Sequence, residues 1–276
     1  MGIRRAGRDL RSSVGLVFFG ITVKETLAIC KGTPMDLARR VSAELIGTAF
    51  LLAAVVGSGI MGERLAGGNT AIALLANTIA TGAALVALIL TFGPISGAHF
   101  NPAVTLADAS QRGLPWPHVP AYIGGQIIGA FLGVGTANLM FGEPLFFASH
   151  RARSGSAQLF SEFVASFGLL AVIWGCSRRR SEAVPFAVAA YIIAAYWFTA
   201  STSFANPAVT LARAASDTFA GIRPGDVTGF IAAQLLGAGV ATVVFRWVVP
   251  SLPKDAPDVV VPHPAGVQSD WRNGDE

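Results

Sequence analysis

Long apolar stretches dominate the chain, and charged residues are largely confined to the segments between them. Six stretches come close to the ~20 residues that an α-helix needs to cross a bilayer. Four of them contain no charged residue, and the other two contain one each, Glu44 and Glu162. The pattern predicts a multi-pass membrane protein with six spans, over residues 41–61, 70–92, 121–141, 159–176, 184–200 and 227–245.

The composition excludes several classes of protein. Hydrophobic residues make up 53% of the chain and charged residues only 13%, about half the ~25% of a soluble domain. The net charge of +4 forms no basic stripe, so we expect no nucleic-acid partner. Cys30 and Cys176 follow no metal-binding or redox spacing, and no catalytic motif is evident. We therefore expect no metal, no cofactor and no enzymatic activity.

The distribution of Lys and Arg predicts the orientation of the spans. These residues are concentrated before the first span and between the fourth and fifth, at residues 178–180. An even number of spans separates the two clusters, so the positive-inside rule places both on the cytoplasmic side of the cell (inner) membrane. Arg151 and Arg153 on the opposite side weaken this bias without reversing it. Both termini are then cytoplasmic.

The chain divides into three predicted segments. Residues 1–34 are a cytoplasmic extension that is either disordered or an artefact of an upstream start site. The second alternative arises because Met35, just before the first span, resembles a natural initiation site. Residues 35–249 form the membrane domain. Residues 250–276 are rich in Pro, Asp and Val without a helical period, which predicts a disordered cytoplasmic tail.

The membrane domain contains an internal repeat. The heptapeptide NPAVTLA occurs at 101–107 and again at 206–212, and each copy follows two predicted spans and precedes a third. Three spans per half is an odd number, so the halves, about 35–142 and 158–249, are inverted relative to each other. Inverted repeats place their functional site near the bilayer midplane. Two re-entrant half-helices, entering from opposite faces, would meet there.

The tripeptide Asn-Pro-Ala suits a helix that begins abruptly. Asn is a preferred N-cap and Pro is favoured at the first helical position, while a small residue lets two helix ends approach. The residues concerned are Asn101, Pro102 and Ala103 in the first half and Asn206, Pro207 and Ala208 in the second. The Asn amide NH2 is expected to remain free as a donor towards a pore. Each helix end carries about +0.5 charge, so two ends together would repel cations and accept neutral hydroxylated molecules.

The chain before each Asn is predicted to be non-helical at membrane depth. Such backbone is tolerated only where it lines an aqueous path or is buried in protein. The carbonyls expected to line that path belong to Gly97, Ala98, His99, Thr202, Ser203 and Phe204.

With two such motifs in six spans, the sequence resembles the aquaporin (major intrinsic protein) family. The resemblance covers about residues 35–247. It implies an all-α, aquaporin-like bundle of six transmembrane helices plus two re-entrant half-helices, with a pore in each subunit of a homotetramer. It also implies that Glu44 and Glu162 brace the NPA loops by hydrogen bonds.

The resemblance also locates a selectivity filter, and here the sequence departs from the usual pattern. Val209 stands where water and glycerol channels usually have Arg, and counting back from the motifs places the other filter positions at Thr81, Ala194 and Ser203. The alignment at Ala194 could slip by one, to Ala195. Small side chains at these positions predict a wider, less polar constriction. The pattern resembles a bacterial subgroup associated with arsenical transport.

These observations predict a passive channel for small neutral solutes such as glycerol or arsenous acid, with or without water. The alternatives are a water-selective channel and, from another class, a coupled secondary transporter that shares the inverted repeat. Arg213, one turn beyond Val209, is open to two interpretations: a substitute filter cation, or a solvated or loop-bracing residue near the end of its half-helix. His99 is expected to brace its loop or to gate the pore.

Overall fold

The computed structural model describes residues 35–177 and 180–249. The predicted extension, 1–34, the predicted tail, 250–276, and residues 178 and 179 of the basic cluster lie outside the described residues. Within the described part, six helices are long and apolar enough to cross a membrane, as predicted, and a short helix follows each Asn-Pro pair.

The helices follow the order expected from the repeat. In chain order they are α1 (Leu37–Leu65), α2 (Thr70–Ser96), α3 (Pro102–Ser110), α4 (Val119–Met140), α5 (Ser156–Ser177), α6 (Val184–Phe198), α7 (Pro207–Arg213) and α8 (Pro224–Val248). The half-helices are α3 and α7. Polar caps also fix the starts of long helices: the side chain of Asn69, for example, accepts hydrogen bonds from the N–H groups of Ala71 and Ile72 at the start of α2.

Packing repeats between the halves. Helix α1 packs against α2 and α4, and α5 packs in the same way against α6 and α8. Each half-helix contacts the last long helix of both halves, α4 and α8, and the two half-helices also contact each other. The centre of the bundle is therefore the point where the half-helices meet.

Glycines allow the paired helices to approach closely. A Cβ on Gly129 of α4 would overlap the backbone carbonyl of Leu45 in α1. At the corresponding place of the second half, a Cβ on Gly237 of α8 would overlap the carbonyl of Phe163 in α5. Contacts of this kind, backbone against small residue, are typical of helix pairs in membranes.

Large apolar side chains are exposed on the outside of the bundle. Every long helix contributes at least one of them, for example Phe50, Ile79, Leu132, Phe160, Trp197 and Val243. An exposed apolar surface of this extent marks a surface that contacts lipid or another protein. It fits the predicted position in a lipid bilayer.

Candidate functional site

The asparagines of both NPA motifs cap their half-helices. The side-chain oxygen of Asn101 accepts a hydrogen bond from the N–H of Ala103 at 2.9 Å. That of Asn206 accepts from Ala208 at 3.0 Å and from Val209 at 3.3 Å. Both asparagines have extended backbone and are followed by Pro at the first helical position, so the local sequence accounts for these helix starts.

The same two side chains join the halves of the molecule. The amide nitrogen of Asn101 donates to the carbonyl of Ala205 at 2.8 Å, and that of Asn206 donates to the carbonyl of Phe100 at 2.7 Å. Each asparagine thus binds the residue that precedes its counterpart. The prediction of a free amide NH2 is therefore half right: one of its two N–H groups holds the other loop, and one remains available.

The loops that precede the asparagines contain left-handed backbone. Ala98 and Phe100 have φ values of 49° and 48°, and Ser203 and Ala205 both have 49°. Non-glycine residues rarely adopt this region, and their strain persists only where the surroundings fix it. The loops therefore need anchors.

Glu44 of α1 anchors the first loop. Its carboxylate is fully buried. It accepts hydrogen bonds from the N–H of His99 at 3.0 Å and of Phe100 at 2.7 Å, and also from the Ser96 hydroxyl at 2.6 Å and the Gln126 amide at 2.8 Å. An intramembrane carboxylate has to be paired or hydrogen-bonded, and this one has four donors.

Glu162 of α5 occupies the corresponding position in the second loop. It accepts from the N–H groups of Phe204 and Ala205, both at 2.9 Å, and from the Gln234 amide at 2.6 Å. The same Gln234 amide donates to the hydroxyl of Thr210 at 2.8 Å. In the first half, Gln126 donates to the hydroxyl of Thr105 at 2.9 Å, so equivalent hydrogen bonds brace the loop in each half.

A cavity of about 80 Å³ lies against the tips of the half-helices, with room for several water molecules at about 10–15 Å³ each. Both NPA asparagines border it, and most of the remaining wall is aliphatic. The aliphatic residues are Leu51, Val55, Leu85, Ile89, Val104, Leu169, Ile173, Val184, Val188, Ile192 and Val209. The site therefore combines a few polar groups with a long apolar wall.

Four of the six residues predicted to supply carbonyls border this cavity: Ala98, His99, Ser203 and Phe204. The other two predicted residues lie elsewhere. Gly97 caps the end of α2, and its N–H donates to the carbonyl of Gly93. Thr202 is half buried and lies in the connection between α6 and α7. Neither residue borders the cavity.

Three of the four predicted filter residues, Thr81, Ser203 and Val209, border the cavity, but Ala194 does not. Ala194 is exposed on the outer face of α6, and the alternative, Ala195, is buried without bordering the cavity. The residues of α6 that face the cavity follow a four-residue spacing, Val184, Val188, Ile192 and Tyr196. Because α-helical residues two positions apart point in nearly opposite directions, Ala194 faces away.

Tyr196 is a large side chain beside one of the predicted filter residues. Its ring is 4% exposed and borders the cavity, and its hydroxyl donates to the Thr81 hydroxyl at 3.3 Å. No local pattern in the sequence identifies this residue, because α6 is apolar on nearly every face.

Arg213 lies at the same cavity and is not solvated, contrary to one of its two interpretations. It is 2% exposed, its guanidinium carbon lies 3.4 Å from the centre of the Phe204 ring, and its Nε donates to the carbonyl of Ala220. The hydrogen bond to Ala220 agrees with loop bracing. The position at the cavity agrees with a filter residue.

A second arginine contacts the same ring. Arg153, in the connection between α4 and α5, lies 4.8 Å from the centre of Phe204 and donates to the carbonyls of Ser201 and Gly221. Burial lowers the pKa of Arg153 to about 10, so the guanidinium stays charged at neutral pH. Sequence analysis assigned Arg153 only to the orientation of the spans.

His99 contacts its own half-helix. Its Nδ1 lies 3.1 Å from the Thr105 hydroxyl, and its Nε2 lies 3.6 Å from a carboxylate oxygen of Asp108. These contacts are those of a residue that fixes the loop, and His99 also borders the cavity.

Comparisons with known proteins agree with this geometry. The family model for major intrinsic proteins matches residues 32–196. The chain is 55% identical to the aquaglyceroporin AqpS of Rhizobium meliloti over 214 residues, which cover 78% of this chain and 91% of that protein. It is 32% identical to the aquaporin NIP6-1 of Arabidopsis thaliana, with 76% and 70% covered.

A solved structure shows the same fold. The aquaglyceroporin of Plasmodium falciparum superimposes with a TM-score of 0.62 at 21% identity, over 79% of this chain and 99% of that one. The expected aquaporin-like bundle of six spans and two half-helices is confirmed. The chain belongs to the major intrinsic protein family.

Proposed function

We propose that this protein is a passive channel for small neutral solutes of the glycerol class, which cross the membrane through the cavity at the half-helix tips. The observation that carries the proposal is the cavity wall. Two asparagines and a short series of loop residues border the same cavity as many aliphatic side chains. A polyol presents hydroxyls to the first and C–H groups to the second. The similarity to proteins described as aquaglyceroporins supports the same solute class.

Electrostatics favours neutral solutes. The positive ends of α3 and α7 point at the meeting place of the two NPA motifs, which disfavours cations and protons there. Each asparagine retains one N–H group that can donate to a passing hydroxyl. In this proposal Glu44 and Glu162 brace the loops, since each carboxylate is already surrounded by protein donors.

The main alternative from another class is a coupled secondary transporter. Coupling needs an ionisable group that can exchange its proton or ion near the midplane. Glu44 and Glu162 are poorly suited, because their hydrogen bonds hold the loops that define the site. A water-selective channel is the alternative within the family, and the aliphatic wall argues against it.

A permeability panel tests the proposal. Purified protein in liposomes should conduct glycerol at least tenfold faster than protein-free liposomes in stopped-flow light scattering. Uptake of arsenite should rise as well, because arsenous acid is neutral and carries three hydroxyls. Urea, a neutral solute of different size, is measured for comparison with both. Water flux without glycerol flux would support the water-selective alternative and contradict the proposal.

Substitution at the filter provides a sharper prediction. We propose that Val209, with Thr81 and Ser203, leaves a constriction wide enough for glycerol. Val209→Arg is expected to reduce glycerol and arsenite flux several-fold more than water flux, because the added guanidinium narrows the passage. Val209→Leu adds volume without charge and is the control. Equal reduction of all fluxes would reject the wide constriction.

We further propose that four copies assemble into a homotetramer, each with its own pore, in the inner membrane with both termini in the cytoplasm. The exposed apolar side chains supply surface for contacts with lipid and with neighbouring subunits. Native mass spectrometry from detergent should give the mass of four chains, and a monomer in mild detergent would contradict the assembly.

A further inference from the structure

We infer that Arg213 determines specificity in this channel, acting as a displaced filter arginine that replaces the guanidinium missing at position 209. The inference rests on the proposed function and adds a residue to it. Arg213 lies four positions after Val209, so it projects from the same face of α7 about one turn, or ~5.4 Å, farther from the half-helix tips. Both residues border the cavity.

The guanidinium of Arg213 is held at its Nε, and its two terminal amino groups are available to bind a solute. Its Nε donates to the carbonyl of Ala220, and its guanidinium carbon lies over the Phe204 ring at 3.4 Å from the centre. Its two terminal amino groups have no hydrogen-bond or ion-pair partner among residues 35–177 and 180–249, although the residue is 2% exposed. Donors that have no protein partner and lie next to a cavity are suited to bind whatever occupies it.

A purely structural role does not account for this arrangement. The single hydrogen bond to Ala220 needs only a neutral donor, whereas a charge buried without a carboxylate partner is unfavourable. Arg153 adds a second positive charge on the same ring, at 4.8 Å. The two cations outnumber the one nearby carboxylate in the described part of the chain, Glu162, which binds the N–H of the same Phe204. The net charge at this end of the cavity is therefore positive and would repel a cation small enough to enter.

Tyr196 completes the displaced constriction. It reaches the same cavity from α6, and its hydroxyl is bound to Thr81 of α2. An aromatic ring and a guanidinium therefore both border the cavity, the ring beside Thr81 and the guanidinium one turn beyond Val209. The geometry excludes cations by charge and leaves room for a neutral solute.

Guanidinium ion is the probe, because it is close to glycerol in size and stays charged at any accessible pH. Wild-type protein in liposomes should conduct glycerol and exclude radiolabelled guanidinium at millimolar concentration. Arg213→Gln and Arg213→Met are expected to raise guanidinium uptake at least tenfold, and glycerol flux measured in the same liposomes shows how much functional protein each preparation contains. Arg213→Lys retains the charge and should keep guanidinium excluded.

Matched controls separate the outcomes. Arg151→Gln removes an arginine that is 44% exposed, pairs with Glu63 and does not border the cavity, so guanidinium uptake should not change. The inference is overturned if the folded Gln and Met variants still exclude guanidinium, if Lys leaks as they do, or if neither neutral variant folds. Absence of glycerol flux in wild-type protein would instead reject the proposed function itself.

Discussion

Replacing Glu162 by alanine is expected to abolish glycerol flux and to destabilise the protein by several kcal/mol. The substitution removes the acceptor of two backbone N–H groups, those of Phe204 and Ala205, and of the Gln234 amide. A buried donor left without an acceptor costs about 1–3 kcal/mol, and total stability is typically about 5–15 kcal/mol. The left-handed residues of this loop would also lose the anchor that holds them.

Thermal unfolding of the purified protein and glycerol flux in liposomes measure this effect together. Glu162→Gln retains one acceptor oxygen but places an NH2 group against a backbone donor, so an intermediate loss is expected. The control is Glu63→Ala, which removes an exposed partner of Arg151, an interaction worth about 0–1 kcal/mol. If Glu162→Ala were as mild as Glu63→Ala, the bracing role would be wrong.

The second large effect is expected from Asn206→Asp. Aspartate still caps α7, but it has no donor for the carbonyl of Phe100, which Asn206 binds at 2.7 Å. The carboxylate would face that carbonyl, and its negative charge would oppose the positive ends of the half-helices. Glycerol flux should fall at least tenfold, and exclusion of small cations should weaken.

The matched control for this change is Asn69→Asp. Asn69 caps α2 outside the cavity, where its side-chain oxygen accepts from two backbone N–H groups. Aspartate performs that function equally well, so both flux and stability should remain near wild type. Wild-type flux in Asn206→Asp would show that the link between the half-helix tips is dispensable.

Local rules made much of the fold predictable. The start of each half-helix follows from Asn and Pro in sequence, and the spans follow from the length of the apolar stretches. The repeat then dictated that the two tips meet. The repeat does not identify the hydrogen-bond partner of each asparagine. Asn101 and Ala205 come together only when the two halves of the chain fold against each other.

The residues that border the cavity were harder to predict. Helix α6 is apolar on nearly every face, so the sequence offers little contrast to show which side is buried. A count from the NPA motif gives Ala194, which does not border the cavity, whereas Tyr196 does. Arg213 stands near the end of its half-helix, where solvation was a reasonable expectation. It is buried because the connection between α7 and α8 folds over it and accepts its hydrogen bond at the carbonyl of Ala220. No local sequence pattern predicts this contact.

The most direct test of a passive pore at the paired tips is the dependence of glycerol flux on concentration, with and without an imposed proton gradient. We predict that initial flux into proteoliposomes rises linearly with the glycerol gradient, without saturation, and is the same at either proton gradient. Flux that saturates at millimolar glycerol, or that follows the proton gradient, would contradict the account and favour a coupled transporter.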